Sequence, residues 1–155
     1  SGKILFSPIA TDLHYLGAEV IEDFELVANS RDIELRSELP NLGEMIPVDA
    51  TILRRIIDNL MSNALKFSPV GGQVTLSLEY LPENRFRVKV ADTGTGIAEA
   101  EKQKIFQKFE IGSLKRNVSQ TGLGLAFCKM AVEAQGGTLA IADNHPQGAI
   151  FIVEI

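Results

Sequence analysis

The sequence predicts an α+β fold in which helices cover one face of a mixed sheet. Two observations support this prediction. Ile52–Ser68 has the apolar periodicity of an amphipathic helix, and residues 73–91 alternate between apolar and polar side chains as an antiparallel hairpin does. Helices and antiparallel hairpins that share one chain form a layered sandwich. The 155 residues contain no internal repeat and suffice for one domain with one substantial core.

The first part of the chain is predicted to contain a helix and short strands. Ile4–Phe6 is predicted as a strand and Pro8–Ser30 as a helix, because its apolar residues form a stripe. Ile33–Ser37 and Met45–Val48 are predicted to pair as a hairpin across Pro40–Gly43.

The helix at Ile52–Ser68 carries polar side chains that share a face. Asp49 is a good N-cap for this helix. Asn59 lies one turn before Asn63, and Lys66 follows about one turn later. Asn is a poor helix former, but its amide oxygen is a hard ligand that suits Mg²⁺, and a lysine adds positive charge for phosphates. On this stretch alone, an ordinary core helix with scattered polar residues remains the alternative.

The second part of the chain is predicted to contain two hairpins and two helices. The hairpin at residues 73–91 turns at Pro82–Asn84. The remaining predicted elements are a short helix at Ala98–Phe109, a polar mobile loop at Gly112–Thr121, a helix at Gly122–Gln135, and a last hairpin formed by Thr138–Ala142 and Ala149–Ile155.

Two motifs that contain glycine flank the polar loop. Asp92 ends a strand, and its carboxylate can accept a hydrogen bond from the exocyclic amino group of adenine. Gly94 and Gly96 would let the backbone lie close against a flat ring. Gly122 and Gly124 open a helix, whose free N–H groups suit phosphate. Asp-x-Gly is also a common turn signature, and Gly-x-Gly alone is weak, so neither motif decides the function by itself.

The composition excludes several other classes of protein. The net charge of −5 gives no basic surface for nucleic acid. The single cysteine, Cys128, excludes an internal disulfide and a cysteine-based zinc site. No apolar run approaches the length of a membrane span, so we expect a cytoplasmic domain. Ser1-Gly2 has the look of a cloning remnant, which predicts a fragment of a longer protein.

Four motifs, taken in order, resemble those of one family. Asn59–Phe67 resembles the N box of that family, and Asp92–Ile97 resembles its G1 box. Ile105–Phe109 resembles its F box, and Thr121–Ala126 resembles its G2 box. The chain thereby resembles the catalytic ATP-binding domain of sensor histidine kinases, in the group shared with gyrase B, Hsp90 and MutL (the HATPase_c, GHKL or Bergerat fold). The resemblance implies a two-layer α/β sandwich with a mixed, mostly antiparallel sheet covered on one face by three helices.

The resemblance also implies a site for ATP and Mg²⁺. Asn63 would be the principal metal ligand and Asn59 would assist, while a lid would span about Lys108–Thr121. No residue of the chain would be catalytic beyond positioning the nucleotide. The implied nucleotide-binding residues are Asn59, Asn63, Lys66, Phe67, Asp92, Gly94, Gly96, Ile97, Lys115, Arg116, Thr121, Gly122, Leu123, Gly124 and Leu125. Gln120 stands where the family usually has a further glycine, and no role is assigned to it.

The implied activity is a two-component histidine kinase, in which Mg-ATP donates its γ-phosphate to a histidine on a separate dimerisation and phosphoacceptor domain. His14 lacks the acidic neighbour of a phosphoacceptor histidine, so residues 1–155 are predicted to form one domain that cannot phosphorylate itself. We expect a monomeric fragment of a homodimeric kinase that acts on a response regulator. Hydrolytic relatives carry a general-base Glu where this chain has Arg55, which favours transfer over hydrolysis.

Three alternatives remain open from the sequence. The first is a degenerate regulatory module that binds ATP or ADP without transfer. The intact Asn59, Asn63, Asp92 and Gly124 argue against it, and Gln120 argues weakly for it. The second is an anti-sigma-type serine kinase, whose product would be an acid-stable phosphate. The third is a hydrolytic ATPase of the gyrase type, which the Arg55 argument disfavours.

Overall fold

The computed structural model describes residues 4–107 and 123–155. Within these ranges the chain forms β1 (Ile9–Asp12), α1 (Leu13–Ser30), β2 (Glu34–Glu38), β3 (Met45–Val48), α2 (Ala50–Phe67), β4 (Gln73–Leu81), β5 (Arg85–Asp92), α3 (Glu99–Lys102), α4 (Leu123–Ala134), β6 (Thr138–Asp143) and β7 (Ala149–Glu154). No helix in these ranges combines the length and the apolar character needed to cross a membrane.

The main sheet has five strands in the order β2-β4-β5-β7-β6. β2 pairs with β4 in parallel, and the other neighbours are antiparallel. Val90 of β5 lies opposite Leu76 of β4 and Phe151 of β7, and all three side chains are buried. These strands therefore turn one face toward the core, as their alternating sequence predicts.

Helices α1, α2 and α4 pack against the sheet, and α2 also contacts both other helices. α2 buries a continuous apolar face that includes Leu53, Ile57 and Leu60. The predicted α+β sandwich with a mixed, mostly antiparallel sheet is confirmed, and α2 lies at the centre of its helical layer.

The beginning of the chain differs from the prediction. Ile4–Phe6 is not a strand, and the helix predicted from Pro8 begins at Leu13, because residues 9–12 pair with β3 instead. Asp12 ends this pairing and caps α1: its Oδ1 accepts hydrogen bonds from the amides of His14 at 2.9 Å and Tyr15 at 3.3 Å.

The predicted hairpin between Ile33–Ser37 and Met45–Val48 is wrong. β3 pairs with β1 in a separate two-stranded sheet, and β2 pairs with β4. The segment between β2 and β3 is bound to the start of α1 rather than folded into a tight turn. Gly43 N donates to Asp12 Oδ2 at 2.8 Å, and the Pro40 carbonyl lies 2.7 Å from His14 Nδ1. These distant contacts move β3 away from β2.

The later elements agree with the prediction except for one helix. The β4–β5 hairpin turns through Glu83 and Asn84, which both have positive φ, and the last hairpin pairs as expected. Within the described part of the helix predicted at Ala98–Phe109, residues 98–107, the regular helix spans Glu99–Lys102, and Ala98 supplies no side-chain cap. The remainder as far as Phe106 is a series of turns.

Candidate functional site

Asn63 brings a buried and unpaired polar atom to the middle of the molecule. It lies on α2, which Asp49 caps by accepting a hydrogen bond from Ile52 N at 3.0 Å. The Asn63 side chain is 5% exposed, and its Oδ1 has no hydrogen-bond partner within residues 4–107 and 123–155. Native proteins rarely leave a buried acceptor unpaired unless a ligand or an ion satisfies it.

Asp92 is the second buried polar group and the last residue of β5. It is 4% exposed, and its Oδ1 accepts hydrogen bonds from Gly94 N at 2.8 Å and Ala149 N at 3.3 Å. Burial raises the pKa of this carboxyl group, while the two amide hydrogen bonds oppose the rise. The described residues donate both hydrogen bonds to Oδ1, so Oδ2 remains available to a donor on a ligand.

A cavity of about 230 Å³ joins Asn63 to Asp92. Five predicted site residues line it: Asn63, Phe67, Asp92, Gly96 and Ile97. The other lining residues are Thr95, Ala98, Glu101, Ile105, Ala149 and Phe151. Mostly apolar walls that include the buried carboxylate of Asp92 suit a flat ring that carries an N–H donor.

Two glycines let the backbone close around this cavity. A Cβ atom on Gly94 would lie 2.6 Å from the main-chain oxygen of Phe67, so no side chain fits there. Gly96 has a φ of +80°, a conformation that other residues rarely adopt. Gly94 therefore lies close to the end of α2 and Gly96 lines the cavity, while their approach to a flat ring stays a prediction.

Asn59 lies away from the cavity, at the contact between α2 and α4. Its Nδ2 donates to the Gly124 carbonyl at 3.4 Å, and a Cβ atom on Gly124 would lie 3.2 Å from Asn59 Oδ1. Leu125, the next residue, is 1% exposed and belongs to the hydrophobic core. The structure thus brings Asn59, Gly124 and Leu125 together as a packing contact beside the cavity.

Other predicted site residues lie near the end of α2 or outside the described ranges. Lys66 is half-buried, and its carbonyl accepts a hydrogen bond from Arg31 Nη2 at 3.3 Å. The predicted lid at Lys108–Thr121 falls outside the described residues. Lys115, Arg116, Thr121 and Gly122 also lie there, as does the side chain of Leu123.

The last hairpin contributes residues that the sequence analysis missed. Ala149 and Phe151 on β7 line the cavity, because β7 pairs with β5 and brings them beside Asp92. Gly148 is the residue whose type could have indicated from the sequence that this turn lies close to Asp92. Its φ is +116°, and any Cβ atom on it would overlap the Asp92 carbonyl. A glycine directly before a strand after a polar turn can mark such a close approach.

The described residues hold no group of three or more His, Cys, Asp or Glu that could bind a metal ion. A cation bound here with a nucleotide would instead use an amide oxygen such as Asn63 Oδ1, together with oxygen atoms from the nucleotide and from water. The orphaned oxygen therefore fits Mg²⁺ bound with a nucleotide.

Comparison with known proteins agrees with the geometry. Residues 48–155 match the family described as histidine kinase-, DNA gyrase B-, and HSP90-like ATPase. The adaptive-response sensory kinase SasA of Parasynechococcus marenigrum is 32% identical over 150 residues, which are 96% of this chain and 39% of SasA. The chain thus spans about two fifths of the length of the curated relatives it matches.

Solved structures give the same result. Full-length ShkA in complex with AMPPNP superposes with a TM-score of 0.86 and 30% identity, over 99% of this chain and 32% of ShkA. The catalytic domain of histidine kinase ThkA superposes with a TM-score of 0.83 and 27% identity, over 97% of both chains. ThkA has also been solved in complex with the response regulator protein TrrA, at 0.78 and 27% identity over 96% of this chain and 41% of that one.

These matches confirm the family expected from the four motifs, and residues of the first three motifs line the cavity. The chain belongs to the family of histidine kinase-, DNA gyrase B- and HSP90-like ATPases.

Proposed function

We propose that this domain binds Mg-ATP and serves as the ATP-binding catalytic part of a two-component sensor histidine kinase. One observation carries the proposal: the same mostly apolar cavity is lined by Asp92, a buried carboxylate, and by Asn63, whose buried amide oxygen Oδ1 has no hydrogen-bond partner among the described residues. The cavity is smaller than the roughly 300–1,000 Å³ usual for whole ligands, so it suits the adenine base with the phosphates outside it.

Asp92 would select adenine. Its free Oδ2 would accept a hydrogen bond from the exocyclic amino group, whereas guanine presents a carbonyl oxygen at that place and would be repelled. The apolar side chains of Ile97 and Phe151 would pack against the ring. Asn63 would bind Mg²⁺, and Lys66, about one turn further along α2, would face the phosphates. The phosphate contacts of Lys115 and Arg116 remain predictions.

ATP supplies the γ-phosphoryl group, and in phosphoryl transfer the protein mainly positions the reactants and neutralises charge. We propose that the acceptor is a histidine on a separate dimerisation and phosphoacceptor domain, and that the product serves a response regulator. SasA and ThkA, which are named as kinases, support this, and ThkA was solved with a response regulator protein. We propose no acceptor role for His14, because Tyr15 follows it where a phosphoacceptor histidine has an acidic neighbour.

Transfer rather than hydrolysis is supported by the side chains one turn before Asn59. The guanidinium carbon of Arg55 lies 3.7 Å from the centre of the Phe127 ring, so this residue packs against α4. Asp58, the residue directly before Asn59, is paired with Arg54 at 2.7 Å. Neither residue is placed to activate water as the general-base Glu of hydrolytic relatives would.

The proposal extends to the parent protein. The parent protein would be a homodimer, either cytoplasmic or membrane-anchored. Residues 1–155 would form one ATP-binding domain of it, and this domain alone would be a monomer. Calorimetric titration with ATP and GTP, with and without Mg²⁺, tests the binding. Asp92→Asn should lose the preference for adenine, and Asn63→Ala should lose the dependence on Mg²⁺. A folded chain that binds no ATP would refute the proposal.

Transfer needs a second experiment. The domain is mixed with labelled ATP and a histidine-containing dimerisation domain of a sensor kinase. We expect an acid-labile and alkali-stable phosphate on that domain. An acid-stable phosphate would support the serine kinase instead, and ATP binding without transfer would support the regulatory module.

A further inference from the structure

The turn between β6 and β7 lies against the end of β5, where Asp92 sits. Asn144 Nδ2 donates a hydrogen bond to the Asp92 carbonyl at 2.7 Å, and Gln147 Nε2 donates to the Thr93 carbonyl at 3.1 Å. Neither polar contact belongs to the strand pairing. The turn is therefore bound directly to the residue that carries the buried carboxylate.

These contacts occur where the regular sheet stops. Pairing between β5 and β7 ends at Ala91 and Ile150, so Asp92 has a strand partner only on the β4 side, at Val74. A main-chain carbonyl at such a position needs another donor. The Asn144 amide supplies that donor and takes the place of the missing strand hydrogen bond.

The same turn also holds the Asp92 side chain. Ala149 N donates to Asp92 Oδ1 at 3.3 Å, and Gly148 packs so closely that no Cβ atom fits between it and the Asp92 carbonyl. Both the main chain and the carboxylate of Asp92 are thus fixed by residues 144–149. The carboxylate cannot rotate without losing a contact to this turn.

Asn144 is itself held in one orientation. Its main-chain N donates to the Gly148 carbonyl at 2.9 Å, and its Oδ1 accepts from His145 N at 2.9 Å. The neighbouring Asp143 is paired with Lys102 of α3 at 2.8 Å, and α3 contributes Glu101 to the cavity wall. The turn therefore contacts both Asp92 and the helix that supplies Glu101 to the cavity wall.

We propose that Asn144 is a positioning residue for adenine recognition, acting through Asp92. This inference rests on the proposed function, because it assumes that Asp92 binds the base. A directional hydrogen bond to a carboxylate depends on where the oxygen points, so an anchor on the Asp92 main chain sets the preference for adenine over guanine. The residue acts through its amide donor, which an aspartate of the same shape cannot replace.

The test compares Asn144→Asp with a matched control. Asn144→Asp keeps the side-chain shape but places an acceptor beside the Asp92 carbonyl. The control is Gln135→Glu, since Gln135 is also half-buried and donates its side-chain amide to a main-chain carbonyl, that of Ala131, at 3.0 Å. Affinities for ADP and GDP are measured by calorimetry on all three chains, with thermal unfolding recorded for each.

We expect Asn144→Asp to weaken ADP binding about tenfold while GDP binding changes less than about twofold, so that the ADP-to-GDP preference falls. Gln135→Glu should leave the preference unchanged. Equal losses for both nucleotides, or a lower unfolding temperature with the preference intact, would overturn the inference. If the Asn144→Asp chain does not fold, Asn144→Ala removes the donor without adding charge and is judged by the same outcomes.

A second readout needs no nucleotide. Amide hydrogen exchange at Gly94 and Ala149 reports whether their hydrogen bonds to Asp92 Oδ1 persist. We expect faster exchange at both amides in the Asn144→Asp chain and no change in the Gln135→Glu chain. Unchanged exchange would overturn the inference while leaving the proposed function standing. A folded parent chain that binds no ADP would refute both.

Discussion

Replacing Asn63 with leucine should make the nucleotide-free domain more stable and remove its response to Mg²⁺. Asn63 is 5% exposed, and its Oδ1 has no hydrogen-bond partner within the part of the chain that the structure describes. The residue sits on α2, whose neighbouring side chains Leu60 and Ala64 are buried. An apolar side chain that branches at the same atom would therefore enter a mostly apolar environment.

The expected magnitude follows from the cost of an unpaired buried acceptor, which is about 1–3 kcal/mol. Leucine removes that cost. Because it also places an apolar group beside the open side of the cavity, we expect only part of the cost to be recovered, a gain of about 1–2 kcal/mol in the free energy of unfolding. For a domain of this size, that corresponds to a rise of about 2–8 °C in the midpoint of thermal unfolding.

The assay combines urea and thermal unfolding of the ligand-free chain with ADP titrations in the presence and absence of Mg²⁺. Asn59→Leu is the matched control, because Asn59 lies one turn earlier on the same helix but donates its amide to the Gly124 carbonyl. This control should lose stability, since it leaves that carbonyl without its donor. We therefore expect the free energy of unfolding to rise for Asn63→Leu and to fall for Asn59→Leu.

Two results would refute the reasoning about Asn63. If Asn63→Leu lowers the free energy of unfolding by more than about 1 kcal/mol, the side chain makes stabilising contacts and its oxygen is not an uncompensated acceptor. If the variant keeps the full effect of Mg²⁺ on ADP affinity, the metal is bound elsewhere. Either outcome would separate the buried amide from the nucleotide site.

Three further changes test the surroundings of the cavity. Gly94→Ala would place a methyl group 2.6 Å from the Phe67 carbonyl, so we expect a loss of about 1–3 kcal/mol in urea unfolding. Asp49→Ala removes the cap of α2 and should cost about 1–2 kcal/mol at neutral pH. Because main-chain hydrogen bonds, that of Ile52 first, lower the pKa of Asp49, this stabilisation is present above the unfolded pKa. It is lost as the pH falls through the lowered folded pKa, which denaturation across the acid range will reveal. Finally, burial raises the pKa of Asp92, so ADP affinity should begin to fall at a higher pH than for an ordinary carboxyl group, whereas calorimetry on Asp92→Asn should show no such fall.

The elements that could be predicted from the sequence are those whose signals are local. α2 was predicted with its cap, because the periodicity of its apolar residues and the Asp49 side chain act within a few residues of each other. The β4–β5 hairpin was predicted for the same reason, since its turn lies between its two alternating strands. The strand that pairs with β3 was not predicted correctly. The loop before β3 is bound by Asp12 and His14, which lie about thirty residues earlier in the chain.

The site divides along the same line. Asn63, Asp92 and Gly96 belong to motifs whose residue types suggest their chemistry, so the sequence pointed to these three cavity-lining residues, whose binding roles stay predictions. The sequence around Ala149 and Asn144 does not indicate their contacts with Asp92. Ala149 donates only its main-chain amide, and Asn144 is an asparagine in a turn, so both resemble ordinary loop residues. Their roles arise from the pairing of β7 with β5, which brings them to Asp92 from more than fifty positions away.

Helix α2 separates packing from ligand binding along its length. Arg55, Asn59 and Asn63 follow one another at intervals of one turn. The first stacks on Phe127, the second binds Gly124, and the third opens into the cavity. The two earlier positions thus hold α4, whose first residues follow directly on the predicted lid. We therefore expect a substitution at Arg55 or Asn59 to affect nucleotide binding through α4 and one at Asn63 to affect it directly. If the domain serves to position a phosphate donor, as we propose, this arrangement of α2 needs no general base.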